Sequence, residues 1–201
     1  MAALRVRSKE RGKIRTAFGR ACAAVPEPVG YPAPMIHEVS GDILLTEAQA
    51  TAHGVAPHDH FDRGLALALR TDWPAMSKDF RHYCHETTPK PGTLWTWGGV
   101  GGKRIICLLT QNPVPEGGGH PGRASLENVN HALHALRKLV VEEAFTRLAL
   151  PRLATGVGGL KWEEVRPIID RQLGDLKLPI FIYTVYHKGV KANESLTPAK
   201  H

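Results

Sequence analysis

Cysteine is scarce in this chain, and acidic residues are scarce near its N-terminus. Three cysteines in 201 residues, Cys22, Cys84 and Cys107, are odd in number and far apart. That speaks against a disulfide framework and against a CxxC zinc site, and it fits a reducing, cytoplasmic setting. No apolar run approaches the roughly 20 residues that cross a bilayer, and the N-terminus lacks the apolar centre of a signal peptide. No membrane partner is therefore expected. Repeats of fixed period are also absent. What remains, at 42% hydrophobic residues, has the composition of one well-packed domain with appendages.

Charge is unevenly placed. Residues 1–34 hold seven Lys/Arg against Glu10 and Glu27, a net +5, while the other 167 residues carry only +2 of the total +7. The pI of about 9.5 thus belongs to an arm and not to the body. Such an arm can hold nucleic-acid phosphates. Two plainer readings stand beside that one: a solvated leader, or a true start at Met35. VPEPVGYPAP, residues 25–34, reads as an extended, poorly ordered linker.

From Met35 the pattern alternates. One or two short strands are expected over Met35–Leu45 around a Ser40-Gly41 turn, and another over Thr51–Ala56. Helices are expected at Leu65–Arg70 and Ala75–Glu86, broken at Asp72-Trp73-Pro74. Strands Thr93–Trp97 and Arg104–Thr110 are joined through GGVGG, and residues 112–123 form a Gly/Pro-rich loop. Ser125 can cap a helix carrying Leu126, Val129, Leu133, Leu136 and Val140 at helical spacing. A strand over 148–153, a helix over 162–173 and a strand Ile180–Val185 follow. Alternating strands and helices imply an α/β fold with a mostly parallel or mixed sheet covered on both faces, whose ligands gather at the carboxyl ends of strands.

The most telling stretch is PRLATGVGGLKWEEV, 151–165. Glycines at 156, 158 and 159 let backbone N–H groups face outward and let a ligand approach the main chain. Strand, glycine loop and helix in that order commonly seat an anion at the helix N-terminus, and a phosphate fits. A tight connection without a ligand is the alternative. Two polar clusters stand out elsewhere. APHDHFDRG, 56–64, carries His58, Asp59, His60 and Asp62, a set suited to acid–base work near neutral pH. RHYCHE, 81–86, has poor zinc spacing and reads as ordinary packing, so no metal is expected. Trp95 and Trp97 share one side of a strand, either as a stacking platform for a base or as a half-buried sheet face.

Several segments together resemble the macrodomain family of ADP-ribose-binding proteins. HEVSGDIL (37–44), TAHGVAPHDHFDRGLALAL (51–69), RIICLLTQN (104–112) and ALPRLATGVGGLKWEEV (149–165) occur in the family's order over roughly 35–190. The last is most similar to the branch holding terminal ADP-ribose–protein glycohydrolases and DNA ADP-ribosyl antitoxins. The resemblance implies a three-layer α/β/α macrodomain with a mixed, mostly parallel central sheet over 35–190, followed by a tail at 191–201. It implies ADP-ribose or an ADP-ribosylated macromolecule as partner, and no cofactor. By position, Asp42 would accept a hydrogen bond from the adenine amino group with Ile43 backing it, and Tyr186 would lie against the adenine. Gly64 falls in the loop beside the distal ribose. Thr155, Gly156, Val157, Gly158 and Gly159 would wrap the diphosphate and that ribose. The branch places a lysine after the central strand; here the matching residue is Gln111, whose amide is neither basic nor nucleophilic. That leaves His58, Asp59 and His60 as the candidate catalytic groups of a hydrolase, and a non-catalytic ADP-ribose reader as the alternative.

Overall fold

The computed structural model describes residues 35–115 and 118–196. The basic arm, the proline-rich linker and the last five residues lie outside that set. Six strands form one sheet: β1 (Ile36–Gly41), β2 (Ala50–Val55), β3 (Leu94–Gly98), β4 (Arg104–Leu109), β5 (Leu148–Pro151) and β6 (Ile180–Tyr186). Their order is β1-β6-β5-β2-β4-β3, and all neighbours are parallel except β3 against β4. The four helices are α1 (Gly64–Asp72), α2 (Pro74–Thr87), α3 (Leu126–Glu142) and α4 (Trp162–Leu173).

Strand alternation sends apolar residues to both faces, so each face needs a helical cover. On one face Ala50, Ala52, Ile106, Leu108, Leu150 and Ile182 pack with Val129, Leu133 and Leu136 of α3 and with Val165 and Ile169 of α4. On the other, Val55, Ile105, Cys107 and Leu109 pack with Leu69 of α1 and with Met76, Phe80 and Cys84 of α2. The result is the three-layer α/β/α arrangement expected from the alternation. Local chemistry sets several boundaries. Pro74 starts α2, where a missing N–H costs nothing. The Ser125 hydroxyl accepts from Asn128 N–H at 3.1 Å, the expected cap of α3.

Two details settle alternatives left open by the sequence, and one strand ends earlier than expected. Met35–Leu45 holds one strand and then a single 3-10 turn, Ile43–Leu45, capped by Asp42. The strand expected over 148–153 stops at Pro151, because Leu153 turns into the core from a loop. Trp95 and Trp97 are structural: Trp95 stacks on Tyr83, 5.9 Å between centroids, and the Trp97 indole donates to Asp79 at 2.9 Å. Both tie α2 to the edge strand β3.

Candidate functional site

Parallel pairing brings the carboxyl ends of β1, β2, β4, β5 and β6 to one side of the sheet, and a two-part cleft lies there. One half, about 330 Å³, is lined by His53 and Gly54 of β2, Asp59, Asp62 and Arg63 of the next loop, Gln111 after β4, and the loop after β5. The other, about 350 Å³, is lined by Asp42, Ile43, Leu44, Ala68, Tyr183 and Tyr186. Gly64, Leu65 and Pro151 line both, so the halves meet at the start of α1.

The glycine loop forms one wall. Its internal hydrogen bonds run from Thr155 N–H to Arg152 C=O, from Gly159 N–H to Gly156 C=O and from Leu160 N–H to Ala154 C=O. Among the described residues, the N–H groups of Gly156, Val157 and Gly158 have no acceptor. A row of outward amides is an anion cradle. The glycines are there for different reasons. A Cβ on Gly158 would sit 2.6 Å from the Ala154 carbonyl oxygen, whereas one on Gly156 would meet nothing within 4 Å. Gly159, at φ +71°, turns the chain toward α4 and does not line the cleft. The helix N-terminus at the cleft belongs to α1 and not to α4, the helix after the glycine loop. Residues Gly64 to Ala66 line the wall, and Arg63 before them offers no side-chain cap. The first amides of α1, which have no intrahelical acceptor, therefore lie at the junction of the two halves.

The floor is polar yet buried. Gln111 is 4% exposed, and its Oε1 has no hydrogen-bond partner. His53 is 2% exposed, with Nε2 3.4 Å from Cys107 Sγ. Burial drives its pKa down to about 4, so the imidazole is neutral at physiological pH. Gln111 stands where the resemblance puts the branch's lysine, whereas His53 is no sequence candidate; a lone histidine in the apolar strand TAHGV is the available signal for it.

The HDH loop is only partly brought into the cleft. Phe61 is buried in the α1/α2 core at φ +53°, and the chain folds back around it. Asp59 closes this turn: its carboxylate accepts from Phe61 N–H at 2.7 Å and Ala56 N–H at 3.3 Å. Burial pushes its pKa up, against those hydrogen bonds. Asp59 and Asp62 line the cleft. His58 and His60 are not among its lining residues; His58 lies edge-on to His85, and His60 is exposed. Arg63, which sequence reading did not single out, lines the rim and reaches His120 on the loop opposite, 2.8 Å from its Nδ1. Among the described residues no group of three metal-ligating side chains exists, and no helix is long and apolar enough to cross a membrane.

At the far end, Asp42 is 6% exposed and already engaged. One carboxylate oxygen accepts from Leu44 N–H at 3.1 Å and the other from Gly189 N–H at 2.9 Å. A carboxylate offers about four acceptor positions, so two remain for a ligand. Ile43 lies beside it in the wall, and Tyr186, 65% exposed, presents its ring at the rim.

No protein-family model matches the chain. It is 25% identical over 176 residues, 83% of its length and 48% of the relative's, to a DNA ADP-ribosyl glycohydrolase of Thermus aquaticus. It is 26% identical over 163 residues, 72% of its length and 88% of the relative's, to an ADP-ribose 1''-phosphate phosphatase of Chaetomium globosum. The chain spans about half the length of the DNA-directed relatives it matches. Among solved structures, the macrodomain of Mycobacterium tuberculosis DarG superposes with a TM-score of 0.63 at 25% identity, covering 75% of this chain and 97% of that one. The chain thus has the macrodomain fold and is similar to proteins of the DarG type.

Proposed function

We propose that this macrodomain binds ADP-ribose and hydrolyses an ADP-ribosyl linkage. The observation that carries the reading is the row of three acceptor-free amides, Gly156 to Gly158, in the cleft half that meets the other at the waist formed by the start of α1. A diphosphate suits that waist: two anionic groups, each met by backbone donors. The base lies beside Asp42, which selects an exocyclic amino group because a carboxylate only accepts. Tyr186 flanks it, Ile43 lies behind it, and the distal ribose occupies the half floored by His53 and Gln111. Names of similar proteins support the same ligand, a DNA ADP-ribosyl glycohydrolase and an ADP-ribose 1''-phosphate phosphatase among them.

Hydrolysis needs a group that moves a proton or orients water. Gln111 supplies neither a nucleophile nor a base. In the 58–62 loop the acid–base work falls to the carboxylates at the cleft, with His58 and His60 behind or outside them. Asp59 is committed to two backbone N–H groups, whereas Asp62 is exposed. Asp62 is therefore the carboxylate left free to orient a water. The same commitment of Asp59, with glutamine at 111, favours a second reading: a reader that holds ADP-ribose without cleaving it.

Calorimetric titration with ADP-ribose, then product assays on ADP-ribosylated DNA and protein, separate these readings. Binding with turnover supports the hydrolase, and binding without turnover on either substrate supports the reader. No heat and no thermal shift at millimolar ADP-ribose would overturn both. The basic residues of 1–34 suggest a nucleic-acid carrier, as does the name of the Thermus relative. Binding to unmodified DNA should then weaken steeply with salt and fall when residues 1–34 are deleted; unchanged binding after deletion removes that partner. A cytoplasmic location accords with such a carrier and with the scarcity of cysteine.

A further inference from the structure

The sequence reading ends the domain at 190 and leaves 191–201 as a tail, but residues 187–194 form one segment built into the body. His187 N–H donates to Gly41 C=O at 3.2 Å, and Asp42 N–H donates to Val190 C=O at 2.7 Å. Gly189 N–H donates to the Asp42 carboxylate at 2.9 Å. The segment runs so close to Gly41 that a Cβ there would lie 2.7 Å from the Val190 oxygen and 2.8 Å from Ala192 N. Ala192 is buried with Val39, Ile43 and Tyr183.

The segment ends in an anchor. Glu194 is 7% exposed, and a buried carboxylate needs donors. It has three: the Thr46 hydroxyl, Glu47 N–H at 2.9 Å and the Tyr183 hydroxyl at 2.9 Å. Lys103, donating to Thr46 C=O at 2.7 Å, adds positive charge nearby. Thr46 follows the 3-10 turn that Asp42 caps, and Tyr183 lines the same half of the cleft as Asp42. Glu194 thus clamps both sides of the Asp42 corner, while Gly189 and Val190 hold Asp42 itself.

We propose that residues 187–194 form a strap that orients Asp42 for reading the amino group of a purine, with Glu194 as its positioning residue. The proposal rests on the ADP-ribose reading above and adds to it the element that sets base selectivity. Asp42 caps a turn at the end of β1, which among the described residues is an edge strand with no further strand to restrain it. Without the strap its carboxylate loses one of its two fixing N–H groups, and its backbone N–H loses its acceptor.

The test compares two probes, ADP-ribose and inosine diphosphate ribose, whose base has a carbonyl where adenine has the amino group. Affinities are measured on the full chain, on Glu194→Gln, on Glu194→Asp and on Thr46→Val. The parent should prefer ADP-ribose by about tenfold, a hydrogen bond to a charged group. Glu194→Gln should lose most of that preference, chiefly through weaker ADP-ribose binding, because its amide N–H₂ opposes donors. Glu194→Asp should retain part of it. A merely structural role would weaken both probes equally and leave the ratio alone. Should Glu194→Gln not fold, Thr46→Val gives the same ratio from outside the cleft. An unchanged ratio in the folded variants, or a parent that binds both probes equally, overturns the strap while leaving the ADP-ribose reading intact. A parent that binds neither probe overturns the ADP-ribose reading itself, and the strap with it.

Discussion

Gly156 and Gly158 stand two residues apart in one loop and should answer the same added methyl in opposite ways. In Gly158→Ala the new Cβ lies 2.6 Å from the Ala154 carbonyl oxygen, 3.1 Å from its carbon and 3.0 Å from Ala124 Cβ. Comfortable carbon contacts begin near 3.5 Å. None of these atoms belongs to a flexible side chain that could swing aside, so the loop must move. Movement also strains the bond from Ala124 N–H to Gly158 C=O, 3.0 Å long, which ties the 111–124 segment to the glycine loop. Overpacking of this kind costs about 1–3 kcal/mol. At about 2–4 °C per kcal/mol for a domain of this size, Tm should fall by roughly 4–8 °C for a mid-range cost. Gly156 has no positive φ and open space around its Cβ position. There alanine only removes freedom from the unfolded chain and should stabilise by about 0.4–1 kcal/mol. The same methyl stands beside an amide assigned to the diphosphate, so ADP-ribose affinity should fall by about tenfold, one lost charge-assisted hydrogen bond. Thermal melts and calorimetry on the two variants check both halves. Gly158→Ala melting with the parent, or Gly156→Ala melting below it, would refute the assignment of steric and binding roles.

Asp42→Ala strands the N–H groups of Leu44 and Gly189 and should cost about 1–3 kcal/mol in stability as well as ADP-ribose affinity, read by denaturant melts and titration. Asp59→Ala unpins the loop at Ala56 and Phe61 and should lower stability by a similar amount, whereas exposed Asp62→Ala should stay within about 0.5 kcal/mol of the parent and lose turnover. His53 sets a pH dependence. Its folded pKa of about 4 lies below the ordinary 6.5, so the unfolded chain binds more protons between these values and stability rises with pH there. The contribution is complete above pH 6.5, is lost as pH falls toward 4, and amounts to roughly 3 kcal/mol. Denaturant midpoints across that window should fall in the parent and fall less in His53→Gln; parallel curves would remove the assignment.

The alternation of strands and helices, the uncovered glycine loop and the capping of α3 by Ser125 were legible in the sequence. Each depends on spacing or on local chemistry that a single segment carries by itself. The order β1-β6-β5-β2-β4-β3 was not legible, because strand neighbours are chosen by contacts far apart in the chain. The cleft's floor followed from that order. Parallel pairing of β2 with β4 sets His53 opposite Cys107 and brings Gln111 near the same strand end. The HDH loop shows the limit most sharply. Its composition announced acid–base chemistry, but burial of Phe61 and the two backbone bonds to Asp59 determined which side chains reach the cleft. Glu194 gave no signal at all, since a glutamate in a polar tail becomes a buried anchor only when Thr46, Glu47 and Tyr183 arrive from elsewhere. Sequence alone determined the kinds of element and the bare loop. Tertiary structure decided which polar groups share one low-dielectric space, because only long-range packing fixes who is buried beside whom.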